Sequence, residues 1–146
     1  MASFVYTKAK TKIANQSLNL ATSDMRVALV MTNTTADTEE DTEFISGFTT
    51  LDEFNGSGYA RQVLTGEAIN EDLTNNRAEF NAVDVAFGSL GAGTRQCAAV
   101  LVYKHVTNDA DSIPVAYIDN AAQFPFTGNG STVNILWNAE EIIQFG

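Results

Sequence analysis

With 146 residues and 45% hydrophobic content, the chain is long enough for one domain with its own core, and its nine Phe, four Tyr and one Trp exclude global disorder. Eight basic residues against eighteen acidic ones give a net charge of -10 and a pI near 4.3, which disfavours nucleic-acid binding by the chain as a whole. A single cysteine, Cys97, excludes an internal disulfide, and its neighbours Ala98 to Leu101 predict a buried thiol that behaves as a small hydrophobe.

Residues 1 to 24 are polar and rich in Thr and Asn, with isolated apolar positions at Phe4, Tyr6, Ile13, Leu18 and Leu20. That spacing predicts an extended N-terminal arm, followed by a single β domain over residues 25 to 146. The start lacks the apolar run of a signal peptide, and no stretch approaches the roughly 18 apolar residues of a membrane span, so synthesis in the cytoplasm and no membrane partner are expected. The Asn-x-Ser/Thr matches at Asn15, Asn33 and Asn129 are therefore discounted as glycan acceptors.

Met25 to Met31 reads as a strand covered on both faces. From Asp37 to Phe54, Thr38 with Glu39, Glu40 and Asp41 predicts one or two short helical turns ending near Gly47. After the turn cluster Asn55 to Gly58, Tyr59 to Thr65 is a predicted strand. Arg77 to Phe87 alternates Ala78, Phe80 and Ala82, then shifts to Val83, Val85 and Phe87; a shift of one position flips the buried face and places a bulge or break at Ala82 or Val83. Gly88 to Thr94 reads as a loop, and Gln96 to Val106 as a buried strand paired with Ile113 to Ile118. Thr132 to Asn138 and Glu141 to Phe145 read as a last pair with a tight link at Asn138 and Ala139. The fold class is mainly β, an antiparallel β-sandwich or jelly-roll-like barrel with an extended N-terminal arm.

Chemistry-bearing residues are sparse. His105 is the only histidine and lies at a strand end; zinc wants several Cys or His ligands, and a catalytic triad would have this one base alone. Calcium is the less excluded metal, because Asp37, Glu39 and Asp41 alternate and Asp109 and Asp111 repeat the spacing, but the EF-hand pattern fails at Thr42 and Phe48. Gly56-Ser57-Gly58 and Gly91-Ala92-Gly93 continue into no phosphate-binding motif and read as turns. Glu79 with Asp84 is a conceivable carboxylate pair, and Trp137 with the tyrosines conceivable sugar-stacking faces. No catalytic residue, metal ligand or cofactor is assigned.

Charge is distributed unevenly. Lys8, Lys10 and Lys12 precede an acidic segment holding Asp37, Glu39, Glu40, Asp41, Glu43, Asp52 and Glu53. Such a pair of segments suits head-to-tail or interleaved packing of subunits, the alternative being two solvated runs that keep the chain soluble. Lys8, Lys10, Lys12, Ile13, Leu18 and Leu20 are thus the candidate interface.

An ordered series of short blocks carries a resemblance. Gly56-Ser57-Gly58-Tyr59-Ala60-Arg61, Ala78 to Phe87, Ala99 to Lys104, Pro114 to Asp119 and Ile135-Leu136-Trp137-Asn138 resemble small virion proteins of tailed bacteriophages, of the kind taken to decorate the head. The likeness spans roughly residues 25 to 146 and leaves the N-terminal segment outside it. It implies a β-rich cement protein that clamps capsid subunits, often as a trimer, with the major capsid protein or another virion protein as partner and the virion as its location. Alternatives are a neck, tail or baseplate component, or a glycan or host-surface binding module.

Overall fold

In the computed structural model, which describes residues 3–121, 123–137 and 142–146, the chain opens with a short strand, β1 (Phe4–Val5), and a helix, α1 (Thr7–Ala14). The strands that follow are β2 (Met25–Met31), β3 (Gln62–Val63), β4 (Ala68–Asp72), β5 (Arg77–Asn81), β6 (Val85–Leu90), β7 (Cys97–Lys104), β8 (Ile113–Ile118), β9 (Ser131–Ile135) and β10 (Ile143–Phe145). One 3-10 turn, Ile45–Gly47, lies between β2 and β3, where helical turns are expected. The pairings are antiparallel and form three sheets, ordered β1-β8-β7-β2-β3, β10-β5-β4 and β6-β9. The fold is sandwich-like, and the sheets do not close into a barrel.

The five-stranded sheet follows from its central strands. β2, β7 and β8 are apolar nearly throughout because both faces are covered, so only Arg26, Ala98 and Lys104 among their residues retain appreciable exposure. β2 and β7 run in register from Met25↔Lys104 to Met31↔Cys97, and β7 and β8 from Val100↔Ile118 to Lys104↔Ile113. Pro114, which has no N–H to donate, sits where the second register shifts between Val102 and Tyr103. Cys97 is fully buried, and burial pushes its thiol up to about 12.

The expectation of an extended arm is overturned. Tyr6 and Ala9 are fully buried and Leu18 and Leu20 nearly so, all within the same core cluster as β2 and β7, so the boundary at residue 24 divides one packed unit. Ala9 and Ile13, four apart, share the inward stripe of α1. Tertiary partners hold the start of the helix: Tyr6 N–H donates to Val115 O at 2.9 Å, Thr7 N–H to Glu40 O at 2.9 Å, and the Tyr6 hydroxyl to Ala36 O at 2.6 Å. Gln16, at φ 66°, turns the chain out of the helix.

Three further expectations are corrected. Within Tyr59 to Thr65 only Gln62 and Val63 join a sheet, because Tyr59 and Arg61 point into tertiary contacts instead. The predicted loop from Gly88 begins as strand, β6 continuing to Leu90 past an irregularity at Ser89, whose φ is 53°. The last two strands do not pair with each other: β9 lies beside β6 and β10 beside β5, so that Ile135 and Ile143 are buried against different neighbours. Their proposed link at Asn138 and Ala139 lies outside the described residues. The expected break near Ala82 does occur, between β5 and β6, and there the chain passes from one sheet to another.

Carboxylates staple the loops. Asp52, at φ 49°, accepts Asn33 N–H at 2.9 Å and an ion pair from Arg95, whose guanidinium holds the carboxyl below its usual range. Glu39 closes the loop between residues 35 and 50 by accepting the Thr49 hydroxyl, the Thr49 N–H and the Thr35 hydroxyl, bonds that lower its pKa in that order. A carboxyl lowered by folding stabilises the fold above its unfolded value, near 4, and ceases to do so as pH falls through the folded value. The urea midpoint is therefore expected to fall on acidification below about pH 4, and Asp52→Asn to flatten that fall; an unchanged acid profile in the variant removes Asp52 from the effect.

Candidate interaction surface

The densest polar cluster surrounds Arg61. Its guanidinium grips both oxygens of Glu53, at 2.7 and 2.8 Å, and both oxygens of Asp109, at 2.6 and 2.9 Å, and lies 5.3 Å above the Tyr103 ring. Hydrogen bonds to Glu53 first, then to Asp109, raise its pKa further. The Tyr59 hydroxyl donates to Glu53 at 2.7 Å and accepts Leu29 N–H at 3.1 Å, and burial raises its pKa. Each member spends its polar atoms on another, so the cluster welds two loops, β2–β3 and β7–β8, to β2 and β7.

Other singled-out residues are also engaged. His105 lies edge-on to Tyr103 at 6.5 Å and donates its backbone N–H to Asp24 O. Glu79 pairs with Arg77 at 2.7 Å, and Asp84 accepts Trp137 N–H at 3.0 Å. The Trp137 indole packs against the core and donates to Val83 O at 3.1 Å. Asp111 caps the turn formed by Thr107 and Asn108. Among the described residues, no three His, Cys, Asp or Glu side chains gather as a metal site would need. No helix of the described residues is long and apolar enough to cross a membrane.

Of the candidate interface residues, Lys8 and Lys10 are exposed on α1, whereas Lys12 pairs with Glu43 at 3.3 Å. Basic and acidic segments thus meet within one chain at this point. Leu18 and Leu20, at 2% and 4% exposure, are core residues and not a free apolar stripe. They nevertheless floor a groove of about 660 Å³ whose walls include Ile13, Ile69, Ala78 and Phe145. Register explains the groove: Ile69 faces Phe80, and Ala78 faces both Glu71 and Phe145, so β10-β5-β4 turns its apolar face toward the N-terminal segment. That segment covers the face only in part, leaving Ile69 at 47% exposure. Lys10 borders a neighbouring recess that shares Phe145 as a wall.

In the hairpin β4–β5, β5 falls within the expected alternating segment from Arg77, whereas β4 and the turn are not expected from the sequence. Asp72 shapes its tip by accepting Thr74 N–H and Asn75 N–H, each at 3.1 Å, and the Asn75 side-chain amide at 2.6 Å, while Asn76 takes φ 55°. Leu73 stands at this tip with 79% exposure. The turn residues Asp72, Thr74, Asn75 and Asn76 were the signal for it, but β4 offers Ile69 as its one large apolar residue. Compared with protein-family models, with curated proteins and with solved structures, the chain matches none.

Proposed function

We propose that this chain is a non-enzymatic structural protein of a tailed-bacteriophage particle, seated on the head as a decoration protein that bridges capsid subunits. The observation that carries this reading is how the side chains are used. Groups with chemical potential, Arg61, Glu53, Glu39 and Asp52, are spent on internal bonds, while Ile69, Leu73, Val83 and Leu136 are left at the surface. Exposed apolar side chains, of which Ile69 also walls an apolar groove, suit contact with neighbours. The ordered blocks between residues 25 and 146 resemble virion proteins of this kind. Many copies on a closed shell multiply a modest interface through avidity, so no single contact has to be strong.

Adding the purified chain to phage heads that lack it tests the reading. Heads are expected to carry the protein down on sedimentation and to survive heat or low ionic strength better. Binding confined to necks, tails or baseplates would move the chain to that part of the particle, and failure to bind any particle would sink the proposal. A glycan-binding role is less well supported, since the Trp137 indole N–H is already bonded within the chain.

A further inference from the structure

We infer that the groove between the N-terminal segment and β10-β5-β4 receives the β4–β5 hairpin tip of a second copy, so that subunits associate head to tail. The groove is apolar and wants an apolar occupant, and the described residue most exposed among the large hydrophobics is Leu73. A chain cannot satisfy itself: Leu73 lies four residues beyond Ile69, about 13 Å along a strand whose own side chain forms the groove wall.

Charge selects the partner. Residues 3 to 23 contain Lys8, Lys10 and Lys12 and no acid, whereas the hairpin carries Glu67, Glu71, Asp72 and Glu79 against Arg77 alone. Lys10, which borders the recess next to the groove, forms no ion pair among the described residues and is available to an acidic tip. The tip is presented ready-shaped, because Asp72 already holds the turn and little ordering cost remains on docking. Groove and tip are different patches of one surface, so the contact is heterologous and yields a ring if the rotation closes.

This goes beyond the decoration reading and is tested without particles. Sedimentation of the full-length chain over a range of concentrations should give an oligomer that loosens with salt. Leu73→Asp spoils the tip, and Ile69→Asp puts a repelling charge in the groove; both should give monomers with the wild-type melting temperature. An equimolar mixture of the two should form dimers and nothing larger, because each retains one half of the contact. Lys10→Glu should weaken association at low salt at least tenfold. A wild-type chain monomeric throughout, an oligomer indifferent to Leu73→Asp, or a mixture that stays monomeric each overturns the inference. Monomeric wild type whose binding to heads is lost in Leu73→Asp also overturns it, and gives the tip to another protein while sparing the decoration role.

Discussion

Deleting residues 1–20 is expected to leave a chain that no longer folds, and Tyr6→Ala alone to cost about 3–5 kcal/mol. Tyr6 is fully buried, stacks edge-on to Phe4 at 5.0 Å and tilts against Phe48 at 5.6 Å. Its hydroxyl satisfies the Ala36 carbonyl. The deletion removes Tyr6, Ala9, Leu18 and Leu20 together, and at about 1.5–3 kcal/mol for each large side chain the loss rivals the whole stability of an ordinary domain, about 5–15 kcal/mol. It also bares the Tyr117 side of β8 by taking away β1. The measurement is chemical denaturation of Tyr6→Ala beside Tyr6→Phe, which keeps the ring and should lose about 1–3 kcal/mol through the orphaned carbonyl. A truncated chain that remained folded would return the segment to the status of a tail.

Gly128→Ala should be nearly as damaging, at about 3 kcal/mol or more, with the melting temperature lowered by about 10 °C. A Cβ there would sit 2.1 Å from Gly91 O and 2.9 Å from Leu90 O, both backbone atoms that no rotamer change can move. From the other side, a Cβ on Gly56 would meet the same Gly91 carbonyl at 2.2 Å. Three segments distant in sequence therefore meet at one peptide group, tied further by Gly91 N–H donating to Ser57 O at 2.9 Å. Gly88→Ala is the matched control: nothing lies within 4 Å of its Cβ position, so the change should stay within about 0.5 kcal/mol. Equal melting curves for the two variants would refute the close-packing account.

These effects bear on what could be read from the residues. β2 and β8 are legible end to end, because strands covered on both faces need no periodicity to stand out. The break after Asn81 is legible because alternation changes phase there. The helix is not, since its fully buried inward residue, Ala9, looks unremarkable in sequence and is chosen for smallness where α1 packs on β8. Nor is β4, a half-exposed strand whose polar residues suit its solvent face. Glycines that read as turns at 56 and 91 prove to be points of contact between loops, a property of distance that spacing does not encode. Three of the six candidate interface residues, Ile13, Leu18 and Leu20, do line the groove, but the wall opposite the N-terminal segment comes from residues 69, 78 and 145.

The seating of β1 against β8 has a consequence for biosynthesis. Ser3 and Asp119, joined by a hydrogen bond, are 116 positions apart, and Phe4 and Val5 wait for Tyr117 and Ala116. A ribosome releases the first strand long before its partner has been translated, and distant pairings of this kind are slow to form. Made well before its partner, this segment is thus among the last to dock, and until β8 emerges its aromatic side chains are open to chaperones and to neighbouring nascent chains.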